Sequence, residues 1–205
     1  MDAELAREVQ SLAAMAGGQE LELMRQGLES LARVAPYDLA TVFALEGQDL
    51  VVKAAHGALA DERVARHRIS LLEFPSVREA IESGHGRAFT ADDHAHGDGD
   101  PFDGVLDLPD GHACMVVPLA ASEQVLGVLT LDRSECVAYS RATVELVEIY
   151  ARLLAHAIRN AKLSAALAQL SEQRLEHAKE LEDRLVGETV LEESLSPAVK
   201  RVAEL

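Results

Sequence analysis

HACMVVPLAASEQVLGVLTLD, residues 112–132, is the stretch on which the fold depends. It contains two apolar runs separated by a short polar segment, Ser122-Glu123-Gln124. Two such runs on either side of a turn predict a β-hairpin. We therefore expect one strand at about 112–120 and a second at about 125–132.

The same pattern occurs upstream in DLATVFALEGQDLVVKAAHG, residues 38–57. It predicts strands at 39–45 and 49–55, joined by a tight turn at Glu46-Gly47-Gln48. RAFT, residues 87–90, is long enough for one more short strand. Because hairpins pair their strands antiparallel, we expect an antiparallel sheet.

Helices are expected around these strands. Apolar residues at helical spacing, together with Pro and Gly signals, predict helices or helical turns in four segments: 2–16, 21–34, 59–66 and 75–84. Gly17-Gly18 breaks the first segment, and Pro36 stops the second. The predicted fold is α/β, more strictly α+β, with an antiparallel sheet flanked by helices.

A long helix is expected after the second hairpin. From Ser140, a suitable N-cap, to about Gly187, no Pro or Gly interrupts the helical period. Beyond residue 160 its apolar positions narrow to one stripe: Leu163, Leu167, Leu170, Leu175, Ala178, Leu181 and Leu185. Such a stripe is usually buried against a partner helix, so we favour a homodimeric stalk over a solvated linker helix.

Composition and charge exclude several classes of function. The net charge is −16 and Lys and Arg do not cluster, so we expect no nucleic-acid binding and no binding to anionic membranes. No apolar run is long enough to cross a bilayer, the N-terminus does not resemble a signal peptide, and two cysteines do not form a disulfide framework. These features predict a cytoplasmic protein. The motifs of phosphate loops, serine hydrolases and zinc proteases are absent, so an enzyme is not expected.

An acidic region lies between Arg87 and Arg133, which encloses nine carboxylates and three histidines but no Lys or Arg. Carboxylates crowded together without cations repel one another. Either the segment is spread out in solvent, or a cation binds within it.

Four residues of this region could share a metal ion. His112 and Cys114 are two apart, so they point to the same face of a strand. Asp132 ends the next strand, and Asp103 lies in the loop before them. Imidazole, thiolate and carboxylate together suit a transition metal such as Fe(II), Co(II) or Zn(II). The alternative is that a lone His and Cys on a strand are ordinary core or edge residues.

Three segments resemble one family in order and context. They are DPFDG (100–104), HAC (112–114) followed by Pro118-Leu119, and GVLTLD (127–132). They resemble the GAF domain of nitric-oxide-responsive, sigma-54-dependent activators, the NorR-like regulators. The resemblance extends from about Pro36 to Leu170, and LSPAVKRVAEL (195–205) resembles the lead-in to the AAA+ ATPase domain of such activators.

The resemblance implies a GAF-like fold and a sensor rather than an enzyme. It implies that Asp103, His112, Cys114 and Asp132 hold a mononuclear non-haem Fe(II), or another transition metal. Binding of nitric oxide would change the geometry of these ligands and release the repression of an adjacent AAA+ ATPase. The long helix would then carry the signal.

Two departures from the family pattern concern the ligand pocket. The family's His-Pro-Arg-Leu segment corresponds here to Phe-Pro-Ser-Val, so Ser76 replaces the arginine and Arg78 lies two residues further on. The tyrosine of the family's Asp-Pro-Tyr-Asp is Phe102 here. Ser76, Arg78 and Phe102 are our candidate pocket residues, and a different effector or metal stays open.

Other functions also stay open. The main alternative is a GAF module that binds a small organic effector without metal, with His112 and Cys114 as polar anchors. An enzyme such as a free methionine sulfoxide reductase would need a reactive cysteine with a resolving partner, for which Cys114 and Cys136 are the only candidates. A dimerisation module with no ligand is a further alternative.

The domain boundaries follow from this reading. We expect N-terminal helices at 1–35, packing on the domain or on a dimer interface, and the GAF sensor domain at 36–160. A helical linker or coiled-coil stalk is expected at 161–194, and 195–205 would begin a truncated AAA+ domain.

Overall fold

The fold is described from a computed structural model of the chain. The described residues are 20–89, 93, 101–102, 104–109 and 111–203. The predicted helix at 2–16 and the candidate ligand Asp103 lie outside them. The chain forms two compact units, Met1–Lys162 and Leu163–Leu205.

The elements follow one another as helices and antiparallel strands. The helices are α1 (Glu20–Leu31), α2 (Glu62–Ala65), α3 (Pro75–Ser83) and α4 (Arg141–Ala203), and the strands are β1 (Leu39–Glu46), β2 (Asp49–His56), β3 (Arg68–Ser70), β4 (Arg87–Phe89), β5 (Ala113–Ala121) and β6 (Gln124–Arg133). Among the described residues the strands form one sheet in the order β3-β2-β1-β6-β5-β4, in which every pair is antiparallel. The predicted antiparallel sheet with flanking helices is confirmed.

The elements differ from the prediction in several places. Helix α1 ends at Leu31, earlier than predicted. A turn follows, in which the Ala35 N–H donates to the Leu31 carbonyl. The helix cannot continue into Pro36, because a residue that precedes proline disfavours helical geometry. Strand β3 was missed because three residues are too few to show a period of two. Helix α4 continues past Gly187, which costs a helix only about 1 kcal/mol, and past Pro197, which costs about 3 kcal/mol, to Ala203.

The start of α4 is as predicted. The Ser140 hydroxyl accepts a hydrogen bond from the backbone N–H of Thr143 at 3.1 Å, which satisfies one of the free donors of the first turn. No described helix combines the length and the apolar composition needed to cross a membrane.

The sheet is covered on both faces, which explains why β5 and β6 are almost continuously apolar. On one face, the helix face, strand side chains such as Val42, Met115 and Leu131 pack against α1 and the first part of α4. On the other, the loop face, alternate residues such as Phe43 and Val116 pack with side chains of α2 and α3 and with residues 102, 105 and 106.

The helix face is closely packed where α1 meets α4. A Cβ added to Gly27 would lie 2.7 Å from Leu154 Cδ1, so a larger residue there would force the Leu154 side chain to move. The buried Tyr150 hydroxyl donates a hydrogen bond to the Gly27 carbonyl at 2.7 Å. These contacts fix the first part of α4 against α1.

Candidate metal centre on the loop face

Strand register places Asp132 and Cys114 side by side. Asp132 of β6 pairs with Cys114 of β5, and the same row continues to Leu39 of β1 and Phe89 of β4. Directly paired residues point to the same side of a sheet and lie about 5 Å apart. Cys114 packs in the loop-face core, so the Asp132 carboxyl lies on that face as well.

His112, just before β5, completes a compact group. One donor atom from each of His112, Cys114 and Asp132 lies within 4.8 Å of the other two. His112 Nε2 is 3.9 Å from Asp132 Oδ1. All three residues are buried, with exposed fractions of 4%, 1% and 0%. The structure therefore brings together three of the four residues that the sequence singled out.

The orientation of His112 suits a metal ligand. The Pro109 carbonyl accepts two hydrogen bonds from His112, one from the backbone N–H at 3.0 Å and one from Nδ1 at 3.2 Å. Because a carbonyl can only accept, Nδ1 carries the proton, and in the neutral ring Nε2 presents its lone pair towards Asp132. Metal-binding histidines are commonly held in this way through their second nitrogen.

The donor set fits a transition metal by its chemistry and its spacing. Imidazole, thiolate and carboxylate are suitable ligands for Fe(II), Co(II) and Zn(II). Donors bonded to one ion at about 2.0–2.3 Å are separated by no more than roughly 4.6 Å. Small side-chain adjustments would therefore bring the three donors onto one ion. Metal binding by this set stays a prediction.

The fourth candidate and the three pocket residues are placed differently. Asp103 lies outside the described residues. Its neighbour Phe102 is fully buried in the loop-face core. Ser76 is buried in the first turn of α3. The Arg78 side chain is 45% exposed, and its Nε lies 4.0 Å from Glu82 Oε1.

Tyr139 connects the neighbourhood of the group to α4. Burial, and then the negative charge of Asp132, raise the pKa of Tyr139 well above its usual value. The phenol therefore stays protonated, and it donates a hydrogen bond to the Pro36 carbonyl at 2.9 Å. Since α4 begins two residues later, the chain passes from Asp132 to the helix through a short anchored segment.

Sequence reasoning missed two features of the loop face. Thr41 and Thr130 are fully buried, and their hydroxyl oxygens are 2.6 Å apart in a hydrogen bond between β1 and β6. The second is His67, whose ring packs against Phe43 and Phe102. The register of β1 against β6, once known, would have predicted the threonine pair, whereas no local pattern marks His67.

Comparisons with known proteins agree with this fold. Residues 21–160 match the family model described as GAF domain. The anaerobic nitric oxide reductase transcription regulator NorR of Serratia proteamaculans (strain 568) is 29% identical over 78% of this chain and 32% of its own length. The regulatory protein LuxO of Vibrio cholerae serotype O1 is 28% identical over 82% of this chain and 31% of its own length. The chain thus spans about a third of these relatives.

Solved structures show the same fold at lower identity. The GAF domain of the Acinetobacter phosphoenolpyruvate-protein phosphotransferase has a TM-score of 0.63 and 18% identity, covering 78% of this chain and 93% of that one. The free methionine-R-sulfoxide reductase of Neisseria meningitidis has a TM-score of 0.62 and 17% identity, covering 78% and 89%. Because the family model matches well over half of the chain, this chain belongs to the GAF domain family.

Proposed function

We propose that this chain is the regulatory sensor domain of a bacterial sigma-54-dependent transcription activator, and that it holds a mononuclear non-haem Fe(II) through Asp103, His112, Cys114 and Asp132. Nitric oxide is the proposed effector, and an adjacent AAA+ ATPase domain is the proposed target, in a cytoplasmic protein. The observation that carries the proposal is the buried group of imidazole, thiol and carboxylate on the loop face. The names of the NorR relatives support the choice of effector.

The chain's own residues would bind, orient and shield the ion. A ferrous ion held by these residues would supply the affinity for nitric oxide. His112 is oriented by the Pro109 carbonyl, while Cys114 and Asp132 contribute negative charge from neighbouring strands. Cys114 belongs to the same buried loop-face core as Phe102, and this core would limit the access of water to the group.

Metal analysis and spectroscopy test this proposal. Protein purified without oxygen should contain about one iron per chain, and added nitric oxide should produce an electron paramagnetic resonance signal. Cys114→Ala and Asp132→Ala should lose both iron and signal. Cys136→Ala is the matched control, since Cys136 is an exposed thiol. Asp107→Ala, an exposed carboxylate of the same loop, is the control for Asp103→Ala.

Two outcomes would contradict the metal proposal. If the wild-type protein takes up no iron, or if Cys114→Ala and Cys136→Ala behave alike, the metal proposal fails. Thermal stabilisation by a small organic compound, unaffected by a chelator, would then favour the alternative of a metal-free effector pocket.

The proposal includes a homodimer formed through the C-terminal part of α4. Leu163, Leu167, Leu170, Leu175 and Leu181 are each 45–64% exposed. Leucines at alternating spacings of three and four, as from 163 to 170, form the seam of a coiled coil. Sedimentation should show a dimer that Leu167→Lys weakens, whereas Glu172→Lys, on the opposite side of the helix, should leave it intact. A monomer at all concentrations would contradict the stalk.

A further inference from the structure

Residues 101–102 and 104–106, here called the cover segment, lie against the loop face through a buried aromatic contact. Phe102 has no exposed surface, and its ring centroid is 5.7 Å from that of Phe43 and 5.2 Å from that of His67. Phe43 belongs to the sheet, whereas His67 lies between α2 and β3. Phe102 is therefore held between the sheet and the segment that flanks it.

His67 makes a second contact with the same segment. Its Nε2 is 2.5 Å from the Pro101 carbonyl, and because a carbonyl only accepts, this nitrogen is the donor. The backbone of His67 is itself fixed: its N–H donates to the Val64 carbonyl, and its carbonyl accepts from Val52. The His67 ring thus packs on Phe102 and also donates a hydrogen bond to the carbonyl of Pro101.

The cover segment continues to the carbonyl that orients His112. The N–H groups of Val105 and Leu106 both donate to the Phe102 carbonyl, at 2.9 and 3.1 Å, which closes a compact turn. Pro109, three residues further on, accepts the hydrogen bond from His112 Nδ1. Phe102 and the Pro109 carbonyl thus belong to one short segment, whose first part is closed by hydrogen bonds and whose end is bonded to the candidate ligand.

We propose that His67 is a positioning residue for the candidate metal centre: it holds the cover segment against the sheet and so slows the exchange of the bound ion. The inference rests on the proposed function for its metal part only. The residue acts through Phe102 and Pro109 and does not itself touch the ion. Loss of a group that hydrogen-bonds a ligand directly usually lowers metal affinity about 10- to 100-fold, so we expect the lower end of this range for a residue that acts one step further out.

Two measurements on the full chain test the proposal. In the metal-free protein, hydrogen exchange at the Val105 and Leu106 amides should be faster in His67→Ala than in the wild type, with β5 and β6 amides unchanged. In the Co(II)-loaded protein, release of the ion to a chelator should be about tenfold faster. His85→Ala is the control, because the His85 side chain is 78% exposed.

Two further variants separate the hydrogen bond from general packing. His67→Gln keeps a side-chain donor for the Pro101 carbonyl, whereas His67→Leu fills similar space without one. His67→Gln should restore most of the protection of the Val105 and Leu106 amides against hydrogen exchange, and His67→Leu should not. If His67→Ala fails to fold, the comparison of these two variants decides the question. Equal exchange in wild type, Leu and Gln variants would overturn the role of His67. If the wild type takes up no Co(II), the proposed function fails, and the hydrogen-exchange result alone then decides whether His67 anchors the segment.

Discussion

The two faces of the sheet are built from alternate residues of the same strands, yet they differ in chemistry. The strand residues of the helix face that are buried are apolar, among them Val42, Met115 and Leu131. The loop face carries buried polar side chains instead: Thr41, His112, Thr130 and Asp132. Burying polar groups costs free energy unless they are paired. The comparison teaches that both faces bury apolar side chains, but only the loop face gives up part of that stability to bury polar side chains, among them two candidate metal ligands.

The largest effect should come from a change that disrupts both faces at once. Gly127 in β6 has φ +158°, and a Cβ there would lie 1.8 Å from the Phe43 carbonyl oxygen of β1. Gly127→Ala must push the two strands apart, so we expect a loss of more than about 4 kcal/mol of unfolding free energy or no folding at all. Circular dichroism and urea denaturation measure it.

Gly47→Ala is the control for this prediction. Gly47 also has a positive φ, of 70°, but a Cβ there would have nothing within 4 Å. It should cost only about 1–2 kcal/mol, the usual penalty for a left-handed residue. If the two variants were equally destabilised, the close approach of β1 and β6 would not be the reason.

A change confined to the helix face should reduce stability and leave metal uptake intact. Leu154 is fully buried between α4 and α1. Leu154→Ala should cost about 2–5 kcal/mol in urea unfolding, with the iron content of folded protein unchanged. Leu72→Ala, at a side chain 67% exposed, should cost less than about 0.5 kcal/mol. Loss of iron in folded Leu154→Ala would mean that the two faces are not independent.

On the loop face, the threonine pair should show strong coupling. Thr41→Val leaves the buried Thr130 hydroxyl without its partner across the strands, so a loss of about 1–3 kcal/mol is expected. The double change to valine removes both hydroxyls and should cost less than the sum of the single changes. A double-mutant cycle in urea gives the coupling, and additive single effects would show that the hydrogen bond contributes nothing specific.

The smallest effect concerns the residue just before β1, where the Asp38 carboxylate accepts a hydrogen bond from the Ser134 N–H at 2.7 Å. This hydrogen bond, followed by that of the Ser134 hydroxyl and by the charge of Arg133, lowers the pKa of Asp38. A lowered pKa in the folded state adds stability above the ordinary aspartate pKa of about 3.9, and this stability is lost as the pH falls below it.

Asp38→Asn keeps an acceptor but cannot titrate. Its unfolding free energy should therefore depend less on pH between neutral pH and pH 3 than that of the wild type. Because the carboxylate is largely in solvent, we expect a difference below about 1 kcal/mol. If the unfolding free energies of the two proteins changed with pH in parallel, Asp38 would not contribute to the loss of stability in acid.

The strands were predictable because their signals are local. Each hairpin combines two apolar runs with a turn, and β1, β2, β5 and β6 lie within one residue of the predicted bounds. The family resemblance also followed from short motifs, and the GAF family match confirms it. Strand β3 and the true end of α4 were missed, because three residues carry no period and a Gly inside a long helix is a weak stop signal.

The candidate site was predictable in part. Spacing of two put His112 and Cys114 on one face, and a hairpin made Asp132 a neighbour. The role of His67 could not be foreseen, since its partner Pro101 is 34 residues away along the chain. Only the folded arrangement shows that the loop before His112 is anchored from outside the sheet.

The sequence by itself determined the strands, the helical periods and the types of donor atom, because these depend on neighbours within a few residues. Tertiary structure decided which face of the sheet holds Asp132 and Cys114, how His112 is oriented, and what covers the group. Those features depend on strand register and on contacts between distant segments. Such contacts form only when burying apolar surface outweighs the entropy of ordering the chain between them.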